Sequence, residues 1–144
     1  MGTGAAVTAV AVDLDGALGD TRRLWADWLE DAGRRARIDV TALDDELPNW
    51  RRLLQRFAEE RAPVYLRPDA EASAALRRLH AAGTTIGVFT SAPEELARVA
   101  LAQLGAARRV DALETGDDAL ARLLARLGAD ARVVRTRAEL VGLK

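Results

Sequence analysis

Apolar positions along this chain recur with two different spacings, and the places where the spacing changes divide it into elements. From Val7 to Val12 the run Val-Thr-Ala-Val-Ala-Val is β-branched and almost continuously apolar, and it stops abruptly at Asp13. Such a run predicts a strand buried on both faces, the kind found in parallel sheets covered by helices. Past Gly16 the period becomes helical. Leu24, Trp25, Trp28 and Leu29 form an apolar stripe that predicts a helix capped by Asp20 or Thr21 and loosened at Gly33. Thr41 opens a short segment that Pro48 interrupts. From about Asn49 a further helix is predicted, with Trp50, Leu53, Leu54 and Phe57 on one side and Arg51, Arg52, Glu59 and Glu60 on the other. Pro63 to Pro68 reads as a linker.

Beyond the linker, strands and helices alternate. Asp69 is placed to cap a helix through Ala75, Leu76 and Leu79 that closes at Gly83. A strand over Thr84 to Phe89 then leads into Thr90-Ser91. Ser91 and Glu94, with Pro93 between them, predict a capping-box start for a helix that stops near Gly105. Arg109 to Leu113 reads as a weaker strand, Asp117 as the cap of a helix ending at Gly128, and Ala131 to Arg135 as the last strand. This alternation with short loops implies an α/β fold with a Rossmann-like parallel sheet. The expected organisation is a single domain over residues 1–144, its core at 1–17 and 67–144 and a short α-helical insertion at 18–66 that contains all three tryptophans.

Composition narrows the function classes more than the fold. With 144 residues, 49% hydrophobic and 30% charged, the chain has enough material for one buried core. The formal net charge of −1 predicts neither a nucleic-acid partner nor an anionic-membrane surface. There is no cysteine and one histidine, His80, which excludes disulfides, zinc-thiolate sites, cysteine nucleophiles and multi-histidine metal centres. His80, near the end of a surface helix, reads as a solvated residue or a helix-end cation. No segment approaches the roughly 20 apolar residues of a membrane span. Residues 4–12 follow no basic segment and lead straight into acids, so no secretory leader is expected and the expected location is cytoplasmic.

The candidate chemistry lies at the strand tips. Asp13 and Asp15 are two residues apart at the predicted C-terminal end of the first strand, the edge where α/β sheets bind ligands. Two like charges held this close repel unless a cation or a proton is shared between them. Gly16 lets the chain turn away without a side chain blocking the approach. The second strand ends in the hydroxyls of Thr90-Ser91, directly before a predicted helix start.

A strand ending in Asp13-Leu14-Asp15-Gly16, followed after a helical insert by a strand ending in Thr90-Ser91, resembles the haloacid dehalogenase superfamily of phosphotransferases, and the likeness covers nearly the whole chain. The resemblance implies a phosphatase in which Asp13 attacks a small phosphomonoester to form an aspartyl-phosphate while Asp15 protonates the leaving alcohol and then activates water. It also implies Mg²⁺ held by Asp13 and Asp15, the latter through its backbone carbonyl, with Thr90, Ser91 and Gly16 around the phosphate. Its third motif is a lysine or arginine before the penultimate helix, but Leu113-Glu114-Thr115-Gly116 has no cation. Its fourth supplies further acids after the last strand, but here Thr136 stands at that place between Arg135 and Arg137, with Glu139 off the usual spacing. One of those arginines is a candidate for the missing cation. A different alignment would take Gly116-Asp117-Asp118 as the fourth motif, at the cost of orphaning the final helix and strand. A non-catalytic binding or assembly module of the same fold is the alternative function, and exposed apolar surface on a short insert is compatible with a homodimer.

Overall fold

The structure, a computed structural model, describes residues 7–143; residues 1–6 of the expected domain and of the 4–12 stretch, and residue 144, lie outside the described residues. Four strands, β1 (Ala9–Asp13), β2 (Thr85–Thr90), β3 (Ala112–Thr115) and β4 (Arg132–Val134), form one parallel sheet in the order β3-β2-β1-β4. Apolar residues of β1 alternate between two cores, as side chains on a strand must. Val10 and Val12, with Ile86 and Val88 of β2 and Val134 of β4, pack on one face against helices α4 (Ala70–Ala81), α5 (Glu94–Gln103) and α7 (Arg137–Val141). Ala11, Phe89, Ala112 and Val133 face the other way, onto α6 (Ala119–Leu127) through Leu123. Gly87 makes the α6 contact close: a Cβ there would lie 2.7 Å from Leu123 Cδ1 and 2.8 Å from Leu127 Cδ1.

The segment between β1 and β2 is helical, with α1 (Arg22–Ala36), a 3₁₀ turn at Val40–Ala42, α2 (Leu43–Glu46) and α3 (Trp50–Tyr65). Its tryptophans pack together: Trp25 stacks on Trp28 with ring centroids 5.6 Å apart, and each lies 6.0 Å from Trp50. This cluster does not close on itself. Buried Leu24, Trp28, Trp50 and Leu54 also pack on Ala92 and Leu96, so the insert is seated on the start of α5.

Five local expectations are corrected. Helix α1 continues past Gly33, spanned by the Asp31–Arg35 ion pair at 3.0 Å, and ends where Arg37 turns left-handed at φ 55°. Helix α3 runs through Pro63 to Tyr65, so the linker is shorter. Proline removes only one amide from this final turn, which buried Ala62 and Leu66 hold in place and the Leu66 amide closes onto the Ala62 carbonyl at 2.8 Å. The Ser91–Glu94 capping box does not form, because the Thr90 hydroxyl accepts the Ala92 amide at 3.1 Å and α5 starts after Pro93. Arg109 lies in a 3₁₀ turn, Ala107–Arg109, its amide on the Ala106 carbonyl, and β3 begins only at Ala112. At α6 the cap position is Asp118, left-handed at φ 58° and without a side-chain cap bond, while Asp117 lies outside the helix. Arg122 serves this turn instead, donating to the carbonyls of Thr115 and Asp117.

Candidate active site

The parallel register sets three side chains in a row. Asp13 pairs with Phe89 across β1 and β2, and Val12 pairs with Val134 across β1 and β4, so Arg135 comes next beside Asp13. By strand alternation all three belong to the face of the sheet that carries α6. The Arg135 guanidinium reaches along this row: its Nη1 is 3.8 Å from Asp13 Oδ2, and its Cζ is 5.6 Å from the centroid of the Phe89 ring.

Asp15 reaches the same tip by a different route from a continued strand, because β1 stops at Asp13. Leu14–Leu18 form one wide turn, in which the Gly19 amide donates to the Leu14 carbonyl at 3.0 Å and the Gly16 amide to the Gly19 carbonyl at 2.8 Å. Glycine is required at position 16. Its φ is +122°, and a Cβ would lie 2.6 Å from the Arg135 carbonyl oxygen, so the turn and the end of β4 touch through bare backbone. The Asp15 amide donates to Asp13 Oδ1 at 3.1 Å. Its carboxylate is held by three donors: the Thr21 amide at 2.7 Å and hydroxyl at 2.8 Å on Oδ1, and the Thr90 hydroxyl at 2.7 Å on Oδ2. Thr21 and Thr90 are only 1% and 2% exposed, which fixes both hydroxyls. Thr21 therefore starts α1 without a side-chain cap bond.

These residues open onto a cleft of about 360 Å³ lined by Asp13, Asp15, Arg22, Phe89, Thr90, Ser91 and, from the β3–α6 side, Gly116, Asp118, Ala119 and Leu120. Burial, and then the charge of Asp15, push the Asp13 carboxyl above its ordinary 3.8, against the opposing pull of the Asp15 amide and of Arg135 and Arg22. Arg22 is itself committed to Asp20, which its Nε and Nη2 grip at 2.9 and 2.6 Å. A larger groove of about 610 Å³ between α3 and α5 lies away from these acids and carries surface pairs such as Arg98–Glu94.

Of the residues singled out in the sequence, Asp13, Asp15, Thr90 and Ser91 meet in this one cleft. Gly16 serves the turn, its amide already donated within it. Asp118 joins the cleft wall. Thr136 and Glu139 are engaged with each other at the start of α7, the Glu139 amide donating to the Thr136 hydroxyl at 3.1 Å. The strand after Gly116-Asp117-Asp118 is β4, which lies beside β1, while Gly116 and Asp118 themselves line the same cleft as Asp13 and Asp15. The Asp15 clamp by Thr21 and the reach of Arg135 over Phe89 carried no sequence signal of their own; both depend on which strands become neighbours.

The donor set fits a magnesium ion at the low end of its needs. Asp13 lines the cleft, and its Oδ2 accepts no hydrogen bond, with Arg135 Nη1 at 3.8 Å. Mg²⁺ is commonly held by one or two carboxylates together with substrate phosphate oxygens and water. Among the described residues no group of three or more histidine, aspartate or glutamate side chains stands ready to hold a metal.

No family model matches the sequence, and no curated protein matches it at a significant level. Solved structures do match. The HAD phosphatase from Thermococcus onnurineus superposes with a TM-score of 0.60 at 20% identity, over 94% of this chain and 83% of that one. CbbY from Rhodobacter sphaeroides, solved in complex with phosphate, gives 0.58 at 18% identity over 96% and 84%. The L-2-haloacid dehalogenase from Xanthobacter autotrophicus, with chloropropionic acid covalently bound, gives 0.54 at 20% identity over 90% and 69%. With its four parallel strands, flanking helices and the insertion after the first strand, the chain has the haloacid dehalogenase-like fold.

Proposed function

We propose that this chain is a phosphomonoester hydrolase acting on a small phosphorylated substrate in the cleft at the tips of β1 and β2. The observation that carries the reading is the division of labour between the two acids. Asp15 is locked by three hydrogen bonds, whereas Asp13, which also lines the cleft, keeps one carboxylate oxygen without a donor. Asp13 is the nucleophile: its Oδ2 forms a bond to phosphorus as the bond to the alcohol oxygen breaks. Asp15 enters this step protonated and passes that proton to the leaving oxygen. In the second half Asp15 takes a proton from water, the water attacks the aspartyl-phosphate, and phosphate leaves with Asp13 regenerated. Thr90 and Ser91 border the phosphoryl position from β2.

Mg²⁺ would be held by Asp13 and the substrate phosphate, with the Asp15 backbone carbonyl as a further oxygen ligand by family resemblance, and would supply positive charge against the phosphoryl oxygens. The insertion at 18–66 acts as a small cap, positioned by its packing on Ala92 and Leu96 directly after the Thr90-Ser91 tip. The expected setting is cytoplasmic; no helix of the described residues is long and apolar enough to cross a membrane.

Hydrolysis of a generic aryl phosphate, measured with and without Mg²⁺ for the parent and for Asp13→Asn, tests the reading. Metal-dependent turnover that disappears in the mutant is the expected result. Activity unchanged by the mutation removes Asp13 from the chemistry, and no turnover across a broad panel of phosphomonoesters leaves a non-catalytic module of the same fold.

A further inference from the structure

A phosphate dianion placed beside Asp13 and Asp15 meets two carboxylates, with Asp118 a third in the cleft wall. Positive charge from the protein is therefore needed close to Asp13 as well as from any metal. The usual source is missing here. The end of β3 and the turn after it carry Glu114, Thr115 and Gly116, and Glu114 is occupied in pairing with Arg122 at 3.0 Å and Arg126 at 2.7 Å. Four arginines have to be considered: Arg22 lines the cleft, Arg135 adjoins it through Asp13 and Phe89, and Arg122 and Arg137 lie further out. Arg22 is held by Asp20, Arg122 by Glu114 and two loop carbonyls, and Arg137 by Asp69 and Glu71 at 3.3 and 3.6 Å. Arg22 also bears on Asp13 through its charge, but of the four it is Arg135 that comes within ion-pair distance of the Asp13 carboxylate, at 3.8 Å, too long for a hydrogen bond.

Resting on the phosphatase reading, we propose that Arg135 is the phosphate-binding cation of this site, contributed from the end of β4 in place of a lysine or arginine before α6. Three observations converge on it. The β1–β4 register puts residue 135 next to Asp13 whatever its side chain. The Phe89 ring beneath the guanidinium guides it across the tip of β1, a favourable placement of a cation on an aromatic face. Its backbone is fixed as well, because the Arg135 carbonyl sits where only a glycine at position 16 leaves room. A guanidinium presents a planar fork of N–H donors that matches two phosphoryl oxygens, so one arginine can grip the transferred group while its charge also steadies the Asp13 carboxylate.

Calorimetric titration with inorganic phosphate, in the presence of Mg²⁺, tests the assignment on the parent, Arg135→Ala, Arg135→Lys and Arg137→Ala. The Arg135 side chain is 57% exposed, so its truncation should leave the fold intact, and thermal midpoints check this directly. Arg135→Ala is expected to weaken phosphate by about 10- to 100-fold, the range carried by one charged hydrogen bond. Arg135→Lys should fall between parent and alanine, and Arg137→Ala should match the parent. Equal affinity for parent and Arg135→Ala, an equal loss in Arg137→Ala, or no phosphate binding by the parent would each overturn the proposal. Aryl-phosphate hydrolysis by the same proteins separates it from the reading beneath. If the parent turns over and Arg135→Ala keeps its KM and kcat, Arg135 is not the cation and the phosphatase stands. If phosphate binding depends on Arg135 but no phosphomonoester is hydrolysed, the anion site stands without the catalysis.

Discussion

The Thr90 hydroxyl donates to Asp15 Oδ2 over 2.7 Å, a bond between residues 75 positions apart that ties the tip of β2 to the turn after β1. The same oxygen accepts the Ala92 amide at 3.1 Å, so one buried hydroxyl orients an acid and starts the turn toward α5. Thr90→Val keeps the shape and removes both bonds, leaving a buried amide without its partner. The expected cost is about 1–3 kcal/mol in denaturant unfolding. The expected kinetic effect is a larger fall in hydrolysis than Thr90→Ser shows. Serine keeps the hydroxyl, and a Thr90→Ser protein as damaged as the valine variant would mean that the methyl packing, not the bond to Asp15, is what matters.

The raised titration of Asp13 gives a pH dependence with a definite sign. Burial is the main cause and the Asp15 charge adds to it. A carboxyl whose pKa is higher folded than unfolded favours the folded state while protonated, below the ordinary 3.8, and that contribution is lost as pH rises through the folded value. Asp13→Asn cannot ionise and keeps an oxygen for the Asp15 amide. In metal-free buffer it should therefore unfold at a higher temperature than the parent at neutral pH, with the gap closing as the pH is lowered toward the ordinary aspartate range. A mutant that is less stable at neutral pH would show that the ionised carboxylate, paired with Arg135, supports the fold.

What the sequence made legible was whatever depends on neighbours along the chain. The valine run of β1, its sudden end at Asp13 and the alternation after Leu66 were sufficient for the parallel sheet and for one cleft holding Asp13, Asp15, Thr90 and Ser91. Local signals failed where tertiary partners took over. Pro63 reads as a stop, yet buried Ala62 and Leu66 carry the last turn of α3 past it. Ser91 and Glu94 have capping-box spacing, but Thr90 captures the turn amide first. Thr21 looks like a helix cap and spends its hydroxyl on Asp15. Arg135 was visible only as one of two arginines flanking Thr136, because its place beside Asp13 requires β4 to pair with β1 in one particular register.

Gly16 separates two kinds of glycine requirement. Its φ of +122° disfavours any side chain, and a Cβ would also press to 2.6 Å from the Arg135 carbonyl. Gly105, at φ +71°, has nothing within 4 Å of its Cβ position. Gly105→Ala should therefore show backbone strain alone, about 1 kcal/mol, whereas Gly16→Ala should exceed it by a further 1–3 kcal/mol, roughly, from the clash and the shift of β4. Gly16→Ala should also lose phosphate affinity, since moving the Arg135 backbone moves its guanidinium. Equal stability losses in the two variants would mean that β4 gives way freely at this contact.

Thr136 stands where a metal-binding acid is expected from the family pattern, and the structure gives it another task. Its hydroxyl accepts the Glu139 amide at 3.1 Å and donates to Glu139 Oε1 at 3.2 Å, which caps α7 and turns the side chain to its own helix. The residue is absent from the lining of the cleft that holds Asp13 and Asp15. Aspartate caps helices about as well as threonine, so Thr136→Asp should keep the stability of the parent, while Thr136→Ala should lose about 0.5–1 kcal/mol at this exposed cap. Magnesium affinity should be the same in all three, because an acid bonded to the Glu139 amide points away from Asp13. Calorimetric Mg²⁺ titration beside thermal unfolding reads both quantities. Tighter magnesium binding by Thr136→Asp would show that the side chain leaves its cap for the cleft, and would make the final strand a source of metal ligands as well as of the Arg135 cation.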